Sequence, residues 1–167
     1  MAEIKTLVEG KLLKYEGLVN VKELYSVIDK WFEKHRYDKA ERRNYEQVFK
    51  DCKLIEMELH PYKKISDYAK FEFKIDIVLS DLTEVEVERN NVKMKLWKGK
   101  VEIKFTAYFI TDYEDSWETK PFYYFVRTLT DKFIYRSYNK KMEVHLIDEC
   151  QEIFDEVRSF LNMSRYS

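Results

Sequence analysis

Glycine and proline are scarce in this 167-residue chain, with three Gly and two Pro, about 3% of residues against roughly 12% in average usage. Gly10, Gly17 and Gly99 are too scattered for a dinucleotide fingerprint or a phosphate-cradling loop, each of which needs several glycines close together. The same shortage excludes collagen-like, Pro-rich and Gly/Ser-linker architectures. Cysteine is nearly as rare. Cys52 and Cys150 stand far apart and form no CxxC unit, which points to two reduced thiols rather than a disulfide framework or a zinc site. Charges interrupt every apolar stretch well before the ~20 residues that a membrane helix needs. Met1-Ala2-Glu3-Ile4-Lys5 has neither the basic start nor the apolar core of a secretory signal. The expectation is a cytoplasmic protein without a transmembrane segment. Excess charge of one sign is missing too: 30 basic and 31 acidic residues leave a net charge of -1, so no global field draws in nucleic acid.

What is present is 45% hydrophobic, 37% charged and 16% aromatic residues, in a length that suits a single domain over 1–167. Residues 4–15 read as a strand with apolar positions of both parities, ended by Gly17. Asn20 followed by Glu23 resembles a capping box, and Val21, Leu24, Tyr25, Ile28, Trp31, Phe32 and His35 recur at helical spacing, so a helix is expected over 20–36. Beyond Arg43 the period becomes two. Tyr45, Gln47 and Phe49 lead to a turn at Asp51-Cys52-Lys53, after which Ile55, Met57 and Leu59 share a face as far as His60-Pro61. Alternation is clearest at Phe71, Phe73, Ile75, Ile77 and Leu79, between which Lys70, Glu72, Lys74 and Asp76 are all charged. One dry and one wet face mark an antiparallel sheet covered on one side.

Charges help to set the register. A two-residue loop at Asn90-Asn91 puts Glu88 opposite Lys93, Glu86 opposite Lys95, Val87 opposite Met94 and Val85 opposite Leu96. A second loop at Lys98-Gly99 would place Leu96 opposite Val101, and a three-residue turn at Ser80-Asp81-Leu82 would keep Ile77 and Val85 on one face. A last strand runs through Phe105, Ala107 and Phe109. After Trp117 the period returns to 3.6: Pro121, Phe122, Phe125, Val126, Leu129 and Phe133 predict a helix over 121–138, and Leu146, Ile147, Cys150, Ile153, Phe154, Val157, Phe160 and Leu161 predict another over 141–162. The two either divide within 138–142, where Asn139 offers a terminator, or run on as one bent helix. The expected fold class is α+β, a curved antiparallel sheet of six to seven strands packed against an N-terminal helix and long C-terminal helices.

This order of elements resembles the helix-grip fold of the START-like superfamily, in which a curved sheet wraps a long terminal helix and often encloses an apolar ligand cavity. The resemblance covers nearly the whole chain as an order of elements, without a residue motif. The glycine-rich loop of many members is absent, a second short N-terminal helix is not evident, and the helix at 121–138 is additional. Separately, Trp117-x-x-x-Pro121 through Leu129-Thr130-Asp131-Lys132 is similar to small archaeal proteins of uncharacterised function. The helix-grip resemblance implies a non-enzymatic binding domain with an apolar or aromatic small molecule between sheet and C-terminal helix, lined by residues such as Phe71, Phe73, Ile75, Phe105, Phe109, Phe154 and Val157.

Two other functions compete. Among charged residues, 119–141 hold only cations apart from Asp131, and 142–162 hold only anions apart from Arg158. Such segments ordinarily pack against each other or on the sheet. An exposed face of the basic, aromatic helix, with Tyr123, Tyr124, Arg127, Tyr135, Arg136 and Tyr138, would instead dock a protein partner or form a homo-oligomer. A hydrolase-type enzyme would need His35 or His60 to meet the acids Asp112, Glu114, Asp115 and Glu118 in a cleft. That acidic cluster lacks cation-loop spacing and reads first as a solvated connection near a helix N-terminus. His145 and Cys150, five apart on a helix, diverge by about 140° and cannot share a metal. No catalytic residue, metal ligand or cofactor is assigned from the sequence.

Overall fold

The computed structural model describes residues 3–39, 41–89, 92–111 and 136–165. Among these, the elements run β1 (Glu3–Val19), α1 (Val21–Lys34), β2 (Glu41–Val48), β3 (Lys53–Leu59), β4 (Tyr62–Lys64), β5 (Ala69–Arg89), β6 (Val92–Thr111) and α2 (Arg136–Arg165). The fold is α+β. Its antiparallel sheet has the order β1-β6-β5-β3-β2, and the short β4 pairs with β5 beyond the end of β3. The predicted helix over 121–138 falls largely outside the described residues, and α2 begins at Arg136 and passes through Asn139 without a break.

The alternation in β5 fixes which face is inner. Phe71, Phe73, Ile75, Ile77 and Leu79 are fully buried, while the intervening charged residues stay partly exposed. Burying one such side chain contributes about 1.5–3 kcal/mol. Both helices cover this inner face. Asn20 caps α1 by accepting from the Glu23 amide at 3.3 Å, and Leu24, Ile28, Trp31 and Phe32 turn inward. The Phe32 and Tyr37 rings meet Phe73 at 5.5 and 5.4 Å between centroids. From α2, the buried stripe is Leu146, Cys150, Ile153, Val157 and Leu161, spaced three or four residues apart as one helix face requires.

The distal hairpin takes the expected register, Glu88 opposite Lys93, Val87 opposite Met94, Glu86 opposite Lys95 and Val85 opposite Leu96, although the Lys95 ammonium pairs with Glu84 at 2.9 Å. The expected turns at Lys98-Gly99 and Ser80-Asp81-Leu82 do not form, and β5 and β6 run on as 21- and 20-residue strands. Asp81 and Leu82 together oppose Gly99, a β-bulge in which Asp81 has a φ of 55°. Gly99 is therefore a site of close approach: a Cβ there would lie 2.7 Å from the Ser80 carbonyl oxygen and 2.9 Å from a Leu82 methyl. One extra residue reverses the alternation of β5, so Val85 and Ile77 point to opposite faces.

Gly17 likewise fails to end β1, which continues to Val19 with Gly17 opposite Gly99. The irregularity in β1 lies earlier, between Thr6 and Lys11, where Gly10 takes a φ of 57° and donates its amide to the Thr106 hydroxyl at 3.2 Å. Such bulges bend an edge strand, and β1 is an edge of this sheet.

Candidate functional site

Helix α2 follows β1 in the same direction along the inner face. Near its start the Lys5 ammonium pairs with Glu143 at 2.7 Å. Further on, Lys11 donates to the Gln151 amide oxygen and stands 4.2 Å from the centre of the Phe154 ring. Past that point strand and helix leave an open groove of about 330 Å³ between them. One wall is Leu12, Leu13, Lys14 and Tyr15 of β1, and the other is Phe154, Arg158, Leu161 and Asn162 of α2.

The groove is open to solvent and its surface is mixed, polar groups of Lys14, Arg158 and Asn162 alongside the apolar Phe154, Leu13 and Leu161. Phe154 is half-buried and meets the Phe105 ring edge to face at 5.8 Å, while Leu13 and Leu161 are buried at its base. The Tyr15 hydroxyl is committed to the Leu18 carbonyl at 3.0 Å. Lys14 is paired with Glu102 at 3.0 Å. Among the described residues, Arg158 makes no hydrogen bond or ion pair and no carboxylate lines the groove. A second depression, between Tyr25, Phe32, Lys39 and Pro61, holds only about 30 Å³, room for a single water.

Of the seven residues expected to line a ligand cavity, Phe154 borders this groove. Phe71, Phe73, Ile75, Phe105, Phe109 and Val157 are buried in the common core. Their rings divide into separate contacts: Phe71 meets Phe109 at 5.8 Å, Phe105 meets Phe154, and Phe73 joins Trp31, Phe32 and Tyr37. The groove residues that the sequence did not assign to a site are Leu12, Leu13, Lys14, Tyr15, Arg158, Leu161 and Asn162. One signal was present, because Arg158 is the single cation of 142–162.

The structure also contains a buried polar cluster at the other end of the core. The Glu149 carboxylate, 4% exposed, accepts from the Tyr37 hydroxyl at 2.5 Å and from the Lys63 ammonium at 3.0 Å, with His145 Nε2 at 3.3 Å. Burial, and then the charge and hydrogen bond of Glu149, hold the Tyr37 phenol well above its usual range. The carboxylate is neutralised by Lys63 and both its oxygens are engaged, so the cluster pins α1, β4 and α2 together. Burial also pushes the Cys150 thiol up to about 11, which keeps it protonated and poorly nucleophilic at neutral pH.

The histidines do not converge. His35 closes α1, stacks on Trp31 at 3.9 Å and lies 3.4 Å from Glu152, on the inner side of the sheet. His60 is buried on the outer side between Glu58 at 2.7 Å and Glu72 at 3.2 Å. The acids at 112–118, required by a hydrolase, lie outside the described residues, as do Tyr123, Tyr124, Arg127 and Tyr135 of the expected docking face. Arg136 opens α2 and Tyr138 is exposed on it. Among the described residues, no group of three potential metal ligands gathers, and no helix is long and apolar enough to cross a membrane. Comparison with known protein families, curated proteins and solved structures finds no match to this chain.

Proposed function

We propose that the protein is a non-enzymatic binding domain, helix-grip-like in plan, that holds an apolar or aromatic ligand between its sheet and C-terminal helix. The observation that carries this reading is the groove of about 330 Å³ between β1 and α2. Its volume falls in the range of roughly 300–1,000 Å³ typical of small-molecule sites. Support also comes from Phe154, which presents a half-buried ring to the groove and rests on the core through Phe105. An aromatic anchored in this way offers stacking surface at small entropic cost. Two free cysteines support a cytoplasmic setting.

Fluorescence titration with phenylnaphthylamine, a neutral aromatic probe, tests the reading. The wild-type chain is expected to bind it saturably, and Phe154→Ser to weaken binding about tenfold or more, the cost of losing roughly 1.4 kcal/mol of ring contact. A wild-type titration without saturation, or equal affinity in Phe154→Ser, overturns the proposal.

A further inference from the structure

Arg158 is the one cation on an otherwise acidic stretch of helix, and it is placed at the groove. Surface arginines commonly find a carboxylate on a neighbouring turn, and anions abound on this helix. Asp155 is instead bonded to the Gln151 amide at 2.7 Å, Glu152 stands beside His35 and Glu149 is taken up by Tyr37 and Lys63. The guanidinium is thus left without an ion-pair partner among the described residues, beside the Phe154 ring and Leu161. Lys14 on the facing strand is already balanced by Glu102. Among the described residues, the groove therefore carries the exposed, unpaired charge of Arg158 on the same wall as Phe154 and Leu161.

From this charge we infer that the ligand is an organic monoanion: an aromatic or aliphatic body against Phe154 and Leu161, with a carboxylate or equivalent acidic group on the Arg158 guanidinium. The inference rests on the binding reading above and adds the chemical class of the ligand. A planar guanidinium suits this role because it offers two parallel N–H donors to the two oxygens of one acid group. Lys11, over the Phe154 ring at 4.2 Å from its centre, adds positive potential beside it.

The test compares two probes with the same aromatic body, neutral phenylnaphthylamine and anionic anilinonaphthalenesulfonate, on the wild-type chain, Arg158→Gln and Lys140→Gln, an exposed cation near the start of α2. The wild type is expected to prefer the anion by about tenfold, as for a charge-assisted hydrogen bond in a partly open site. Arg158→Gln lowers the affinity for the anion about tenfold more than that for the neutral probe, and Lys140→Gln changes neither. Saturable binding of the neutral probe with no preference for the anion, or a preference that survives Arg158→Gln, overturns the inference and leaves the binding reading standing. Failure of both probes to saturate overturns both.

Discussion

The Tyr37 hydroxyl donates a 2.5 Å hydrogen bond to the buried carboxylate of Glu149, joining the exit of α1 to the middle of α2 across 112 residues of sequence. Lys63 supplies the compensating charge from β4. Three segments from distant parts of the chain meet at one carboxylate, which ties α2 to the exit of α1 and to β4.

Replacing Tyr37 by Phe removes one donor and leaves an oxygen of Glu149 unsatisfied, so a loss of about 1.5–3 kcal/mol is expected in urea unfolding at pH 7. The pH dependence has a definite sign. The folded-state pKa of Tyr37 lies above the unfolded value, so its contribution is fully present below about pH 10 and is lost as the pH rises further, where the unfolded chain releases the phenolic proton first. Above about pH 10 the wild type should lose stability more steeply than Tyr37→Phe. Parallel slopes for the two proteins would count against a buried, protonated Tyr37.

The two thiols should differ in reactivity. Cys150 is buried, with its pKa pushed up to about 11, while Cys52 is partly exposed in the turn before β3. Alkylation of the native chain at pH 8, read by mass spectrometry, is expected to modify Cys52 first, with Cys150 reacting only on unfolding. Equal rates in the native state would show that α2 leaves the sheet readily.

Gly99→Ala should destabilise the protein by about 1–3 kcal/mol, the usual cost of forcing a methyl into occupied space, because the Ser80 carbonyl oxygen and a Leu82 methyl already fill that position. Thermal unfolding checks it. An unchanged melting temperature would mean that the bulge at Asp81 and Leu82 does not hold in solution.

Which parts of this architecture were legible depended on how local their cause is. Val87 with Met94 and Glu88 with Lys93 could be read because a two-residue connection fixes the register of its own flanking strands. Gly99 was misread because a glycine serves equally for a turn and for close approach, and only the partner strand, carrying the Ser80 carbonyl, decides between them. The same ambiguity placed a strand end at Gly17, which instead pairs with Gly99 inside the sheet. Inward positions such as Phe71, Phe105 and Val157 were plain from periodicity, yet periodicity marks burial and not an opening beside it. The groove required knowing that β1 stands at the sheet edge and that α2 runs along it in the same direction, which brings Leu13 beside Leu161 from opposite ends of the chain. Arg158 stood out in the composition, but its significance depended on that placement.

The groove is tested most directly by mapping backbone amide shifts in two-dimensional NMR while anilinonaphthalenesulfonate is added to the full chain. Saturable shifts concentrated at Leu12–Tyr15 and Phe154–Asn162, with the amides around Tyr37 and Lys63 unmoved, are the expected result. Shifts that saturate elsewhere in the chain, or no saturation at all, would contradict a ligand site between β1 and α2.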